Sequence, residues 1–157
     1  MNTLTSIVFA CGLAAWTLST TPHDAKGTPM QLGTFTLGLA VKDIKASKAF
    51  YEKLDFKEVS GDIEKHWIVL QNGTTKIALF QGMFDRNTMT FNPGMTYTRE
   101  TLKDFQDVRE LQHVLKERGI KLKNEVDEST EGPAGFQFAD PDGNPIFVDQ
   151  YVPKPKR

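Results

Sequence analysis

The clearest pattern in the chain is an alternation of apolar with small or polar residues over residues 34–41. Strict alternation is typical of a β-strand with one buried face, and here it separates Leu37 and Leu39 from Gly38. Asp43 follows as a candidate N-cap, which predicts a helix directly after it. Four apolar residues at helical spacing are expected on the buried face of this helix: Ala46, Ala49, Phe50 and Leu54.

Three more strands are predicted before residue 82. Residues 57–60 continue from the helix, and two apolar runs at 66–70 and 75–80 flank the pair Asn72-Gly73. An Asn-Gly pair between apolar runs is a strong hairpin signal, because the turn requires positive φ angles. The first unit is therefore predicted to run strand, helix, strand, strand, strand.

The second part of the chain is predicted to repeat this unit. Residues 82–96 are interpreted as an irregular linker, because Asn92-Pro93-Gly94 forms a turn cluster. Asp107 is the expected N-cap of a helix that ends at Gly119. The strands predicted for this unit are 96–102, 120–126, 134–138 and 145–152.

Length and charge set limits on what the protein does. The 157 residues suit one domain, predicted at 30–152 with modules at about 31–81 and 95–152, followed by a basic tail at 153–157. A net charge of −1 argues against strong electrostatic capture of nucleic acid. The single cysteine, Cys11, excludes an intramolecular disulfide.

Residues 1–29 form a separate segment. The apolar run at 4–18 is short for a membrane-spanning helix and matches the length of a signal-peptide core. Residues 1–3 carry no Lys or Arg, and Met30 stands directly before the predicted domain. Three alternatives stay open for these residues. They are a signal peptide or membrane anchor, which implies export or membrane association, or they are a flexible tail without a targeting role. In the third alternative the true start is Met30 and the protein is cytoplasmic.

Two motifs give the chain a family resemblance. Residues 39–51, LAVKDIKASKAFY, are similar to the first strand and helix of the vicinal oxygen chelate superfamily. That superfamily includes glyoxalase I, bleomycin-resistance proteins and extradiol dioxygenases. Residues 140–146, DPDGNPI, resemble its C-terminal hairpin, so that the likeness extends over about residues 31–152.

The resemblance implies an α+β fold of two tandem βαβββ modules. Their sheets would form a U-shaped, partly closed cleft with the helices on the outside. Metal-dependent members of the family hold a divalent ion on the cleft floor through His, Gln or Glu from the first and last strands of each module. Such ligands leave coordination positions open for two neighbouring substrate oxygens, which the ion polarises.

The family's metal-ligand positions carry unsuitable residues in this chain. The first position falls on Thr36, the fourth-strand position on Ala78 and the last on Phe147; the remaining one falls near Thr98 or Glu100. Alanine and phenylalanine cannot bind a metal, and a neutral hydroxyl is a poor ligand. We therefore expect no metal at the family positions Thr36, Ala78 and Phe147, and no other cofactor.

Strand alternation predicts which residues line the cleft. The expected lining residues are Thr36, Gly38, Ala78, Phe80, Phe147, Asp149 and Tyr151. Small and aromatic side chains with a few polar groups are typical of a small-molecule pocket.

Three polar residues are candidate catalytic groups, and each has a structural alternative. His66 is either a polar cleft group or a partly exposed strand histidine. Asp149 either acts in the cleft or pairs with a lysine or caps a loop. Glu100 matters only if the second unit begins with a strand at 96–102, and is otherwise an exposed residue.

Two functional hypotheses follow from the resemblance and from these residues. In the first, the protein binds a small organic molecule in its cleft without a metal, as bleomycin-resistance-type proteins do. In the second, it is a metal-dependent lyase, isomerase or dioxygenase with a divalent ion in a rearranged site. The expected partners are a small-molecule ligand, a second copy in a homodimer and, through residues 4–18, a membrane.

Overall fold

A computed structural model describes residues 29–156 of the chain. The first half contains β1 (Thr34–Val41), α1 (Ile44–Glu52), β2 (Lys57–Asp62), a single 3-10 turn (Ile63–Lys65), β3 (Trp67–Asn72) and β4 (Thr75–Gln81). The second half contains β5 (Thr88–Asn92), α2 (Val108–Glu117), β6 (Ala134–Ala139) and β7 (Pro145–Gln150). The predicted signal or anchor at residues 4–18 lies outside the described residues. Neither helix of the described part is long and apolar enough to cross a membrane.

The strands of residues 29–156 form one seven-stranded mixed sheet. Its order is β2-β3-β4-β1-β5-β7-β6, and the edge strands β2 and β6 do not pair, so that the sheet stays open. β1 pairs in parallel with β4 and antiparallel with β5, and β5 pairs in parallel with β7. The α+β architecture predicted from the sequence is thus confirmed, with the two halves joined edge to edge at β1 and β5.

Both helices cover the same face of the sheet. α1 packs with Ile68, Leu70, Ile77 and Leu79, and Leu37, Leu39 and Val41 from β1 pack against that cluster. α2 packs its Val108, Leu111 and Leu115 against Phe136 and Val148. The opposite face carries the alternate residues of every strand and is called the open face below.

Two sequence predictions at the start of the second half are wrong. β5 lies inside the segment interpreted as a linker, where Met89 and Phe91 alternate with threonines before the turn at Asn92. The strand predicted at 96–102 is a turn instead, with an isolated bridge between Met95 and Thr101. It closes locally, because the Thr96 hydroxyl accepts a hydrogen bond from the Glu100 backbone N–H over 3.1 Å.

The strand predicted at 120–126 is reduced to one isolated bridge between Asn124 and Gln137. The alternation was informative about burial, since Leu122 and Val126 do pack on the α2 side. The side-chain amide of Gln112 takes the place of a strand neighbour. It accepts from the Val126 N–H over 2.6 Å and donates to the Val126 carbonyl over 3.0 Å.

The predicted buried face of α1 is also wrong. Phe50 and Leu54 are 57% and 51% exposed, whereas Ile44 is buried and Tyr51 packs against the same core. Ile44 and Tyr51 stand seven residues apart, so they lie on one side of the helix.

The two halves share one local arrangement where a helix begins, called here a corner. At the first corner, Asp43 is the N-cap and the Gln81 side chain accepts from the Ile44 N–H over 2.8 Å. At the second corner, Asp107 is the N-cap and the Gln150 side chain accepts from the Val108 N–H over 2.8 Å. In both, a glutamine at the end of the last strand of its half anchors the helix to the sheet.

Candidate functional site

The residues predicted to line the cleft lie mostly together on the open face. Gly38 is the register partner of Ala78 on one side and of Thr88 on the other. Thr36 is the partner of Thr90, which in turn is the partner of Phe147. These positions therefore form two adjacent rows that cross the middle of the sheet.

The row through Ala78 and Thr88 requires a glycine at position 38, between these two residues. A Cβ at this position would collide with the hydroxyl of Thr88 and would come within 3.1 Å of the Phe80 ring. Thr88 is only 3% exposed. The absent side chain of Gly38 is thus what allows the threonine and the aromatic ring to pack side by side.

Next to these rows the structure contains a cleft of about 710 Å³. Its lining comes from the β4–β5 loop and the start of β5, from β6, β7 and the turn between them, and from the segment before β6. The lining residues are Met83, Phe84, Asp85, Arg86, Thr88, Lys121, Leu122, Lys123, Gln137, Phe138, Ala139, Gly143, Pro145 and Phe147. This size lies in the range of small-molecule sites.

Phe84 and Phe147 form an aromatic pair in the lining of the cleft, with ring centroids 5.8 Å apart. Phe84 also contacts Phe80, which does not line the cleft, edge to face with ring centroids 4.9 Å apart. Its side chain is still 36% exposed, so part of the ring remains available for contact. Asn87 fixes the end of this loop, because its side-chain oxygen accepts from the Ala40 N–H over 3.1 Å.

Asp149 and Tyr151 continue the open face beyond Phe147, at a distance from the lining of the cleft. The Asp149 carboxyl packs over Gly135, where an added Cβ would stand 2.8 Å from its Oδ1. Burial raises the pKa of this carboxyl above its ordinary value, and a hydrogen bond with Tyr151 opposes the rise. Tyr151 lies past the end of β7 and is 59% exposed.

The strand expected to carry the fourth metal position is placed differently from the prediction. Because β5 begins the second half, the residue opposite Thr36 is Thr90, and neither Thr98 nor Glu100 lies on a named strand. Glu100 is exposed in the turn, where its carboxylate accepts from the Thr98 hydroxyl over 3.1 Å. The family positions thus hold threonine, alanine and phenylalanine, which do not fit a divalent ion.

The three candidate catalytic residues do not form one site. His66 is not on a strand: it follows the 3-10 turn in a left-handed conformation with φ of 63° and is exposed. Asp149 lies on β7, four strands across the sheet from β3, and Glu100 lies in a separate turn. Within residues 29–156, no three His, Cys, Asp or Glu side chains are grouped so that they could hold a metal ion.

Several lining residues were not found from the sequence. Thr88 was missed because β5 was interpreted as a linker, although its alternation with Met89 was a usable signal. Arg86, Lys121 and Lys123 come from two segments far apart in the chain, and no local pattern links them.

The fold is an open, mixed sheet, and each half of the chain places one helix on the same face of that sheet. A family model described as Glyoxalase/Bleomycin resistance protein/Dioxygenase superfamily matches residues 31–148. The chain belongs to this superfamily, as its two sequence motifs indicated. No curated protein matches the chain significantly.

Solved structures agree on the fold at low sequence identity. A glyoxalase/bleomycin resistance protein/dioxygenase superfamily member from Vibrio splendidus 12B01 has a TM-score of 0.50 at 15% identity, covering 75% of this chain and 97% of its own. A hypothetical protein, BH1468 from Bacillus halodurans C-125, has a TM-score of 0.53 at 15% identity, covering 78% and 96%. A protein from Legionella pneumophila described as an NAD-dependent benzaldehyde dehydrogenase has a TM-score of 0.55 at 14% identity, covering 74% and 98%. At such identities the likeness concerns the fold alone.

Proposed function

We propose that this protein binds a small organic molecule in the cleft beside Phe84 and Phe147, without the divalent ion of its metal-dependent relatives. One observation carries the proposal: a cleft of about 710 Å³ adjoins family metal positions that hold no metal-binding side chains. The rest of the lining supports it, because exposed aromatic surface and the polar groups of Thr88 and Gln137 lie together there.

A cleft-filling variant tests the binding part of the proposal. Ala139 is exposed at the end of β6 and lines the cleft, so Ala139→Trp would occupy the space with little cost to the core. Ala49→Trp, on the exposed surface of α1, is the matched control. We expect a library of small organic fragments to yield binders to the wild type and to Ala49→Trp, detected by NMR shift changes. Ala139→Trp should lose them, and equal binding by all three proteins would contradict the proposal.

Metal content tests the second part. The full-length protein is incubated with Ni²⁺, Zn²⁺, Mn²⁺ and Fe²⁺, dialysed and assayed for bound metal. We expect much less than one ion per chain, because Thr36, Thr90 and Phe147 supply no imidazole or carboxylate. Stoichiometric metal that Thr36→Ala or Thr90→Ala removes would overturn the metal-free proposal.

A further inference from the structure

We propose that the ligand of this cleft is a flat organic acid, whose anionic group is bound by Arg86, Lys121 and Lys123. This inference rests on the proposed function and adds the chemical class of the ligand. The three cations line the cleft together with a single carboxylate, that of Asp85. The whole chain has a net charge of −1, so the local excess of positive charge does not reflect a basic protein.

The three cations of the cleft have no ion-pair partner among the described residues, whereas five cations elsewhere do. Lys48, Lys65 and Lys116 each form an ion pair with a carboxylate within 4.0 Å. In the part of the chain that the structure describes, no such ion pair involves Arg86, Lys121 or Lys123. Cations gathered at one cleft repel each other, and an anion in the cleft would relieve that repulsion.

Arg86 is positioned by a well-braced turn. Its Nη1 donates to the Gly143 carbonyl over 3.3 Å. That turn is held by Asp140, which accepts from the Asn144 backbone N–H over 2.8 Å and from the Asn144 side chain over 2.7 Å. A guanidinium has five N–H donors, so one bond to a carbonyl leaves it able to bind a carboxylate.

The two lysines lie on a segment that is fixed along the edge of the sheet. The Lys123 N–H donates to the Gln137 carbonyl over 2.7 Å, and Gln112 holds the Val126 backbone farther along. The lysine side chains are therefore attached to an ordered backbone, and they line the same cleft as Arg86 of the β4–β5 loop.

The aromatic side of the cleft defines the rest of the ligand. Phe84 presents an exposed part of its ring next to Phe147, and aromatic rings prefer edge-to-face or offset contact with other flat groups. If the planar apolar part of the ligand packs against Phe84, its acidic group can face the cations. We therefore favour an aromatic or similarly flat carboxylate over a sugar or a polyamine.

Probes that differ only in charge test the inference. The probes are benzene, naphthalene and indole derivatives, each carrying a carboxylate, an amide or a methylammonium group. Their affinities for the full-length protein are measured by NMR titration at low ionic strength. We expect the carboxylates to bind more tightly than the matched amides and to weaken as salt is added. The double variant Lys121→Gln/Lys123→Gln should lose about tenfold in carboxylate affinity and little in amide affinity, since one exposed charge contributes up to about fivefold.

A double variant elsewhere controls for net charge. Lys53→Gln/Lys57→Gln removes the same charge from exposed positions around the end of α1, and it should leave carboxylate affinity unchanged. If amides or ammonium probes bind in the cleft as tightly as carboxylates, the inference fails and the proposed function survives. If none of the probes binds, or if every probe that binds also binds to Ala139→Trp, the proposed function fails as well.

Discussion

The two helix-anchoring corners have the same plan but different environments. Asp43 is exposed and accepts only from the backbone N–H groups of Lys45 and Ala46, over 2.9 and 3.0 Å. Asp107 is fully buried and accepts from the Arg109 guanidinium over 3.2 Å and from Gln150 over 2.9 Å. One arrangement is thus a local cap, whereas the other joins a helix, a strand and a loop.

The buried corner has a structural consequence for the cleft. Arg109 also donates to the Thr130 hydroxyl and to the Gly132 carbonyl, over 2.7 and 2.9 Å, so that the loop before β6 is fixed to α2. In the second half, the helix therefore holds the later part of the segment whose earlier residues, 121–123, line the cleft. In the first half, α1 has only one buried residue, Ile44.

Removing the carboxylate gives the largest expected difference between the two corners. Asp107→Ala leaves the buried Arg109 charge without its partner, and we expect a loss of about 3–5 kcal/mol in the free energy of unfolding. Asp43→Ala removes an exposed cap and should cost about 1 kcal/mol. Urea unfolding followed by tryptophan fluorescence measures both; if Asp107→Ala does not fold, Asp107→Asn provides the comparison. Equal losses would mean that Asp107 acts as a simple cap.

Replacing the anchoring glutamines should give a smaller difference with the same sign. Gln150 is fully buried and bonds the Val108 N–H, the Asp107 carboxylate and the Val152 carbonyl, so Gln150→Ala should cost about 2–3 kcal/mol. Gln81 is half-buried and bonds one backbone N–H, so Gln81→Ala should cost about 1 kcal/mol. The same urea experiment applies. A larger loss for Gln81→Ala would reverse our account of the two corners.

Acid should weaken the buried corner. Burial acts to raise the pKa of Asp107, but hydrogen bonds from the Arg109 backbone, Gln150 and the Arg109 side chain outweigh it and lower the pKa below 3.8. Asp107 therefore contributes stability that is present above pH 3.8 and is lost as the pH falls through the lowered folded value. The difference in unfolding free energy between the wild type and Asp107→Asn should shrink below that pH. A difference that stays constant with pH would contradict this sign.

Asp149 lies on the open face of the same half. Its effect on the pH dependence of stability should be opposite in sign to that of Asp107, and the smallest of those predicted here. Its pKa is raised above 3.8 by burial, so its ionisation costs stability as the pH rises through 3.8, with the full cost above the folded pKa and none well below 3.8. Asp149→Asn should therefore stabilise the protein near neutral pH, with an advantage that disappears on acidification. Thermal unfolding across a pH series measures this. A variant that is less stable near neutral pH would show that the ionised carboxyl is favoured by its surroundings.

The sequence was a good guide wherever burial followed a regular period. The alternation in β1 correctly placed Leu37 and Leu39 toward the helices, and both aspartate N-caps were recognisable. The prediction for α1 chose the wrong side of the helix: Ile44, whose N–H is bound by Gln81, faces the core, and Phe50 stays exposed. The same alternation placed Thr36 and Phe147 on the open face, but of these two only Phe147 lines the cleft.

The remaining errors have physical causes that lie outside any local pattern. The segment at 120–126 alternates like a strand, yet Gln112 from α2 bonds the backbone of Val126 in place of a neighbouring strand. The binding roles of the cleft residues, the homodimer and the attachment at residues 4–18 stay predictions.

The sequence by itself indicated the superfamily and the period of most strands, and it put threonine, alanine and phenylalanine at positions 36, 78 and 147. Only the tertiary structure decided that the second half begins at Thr88 and that Arg86 shares a cleft with Lys121 and Lys123. The reason is that strand period and capping depend on neighbours along the chain. A cleft depends on which distant segments the sheet order brings together.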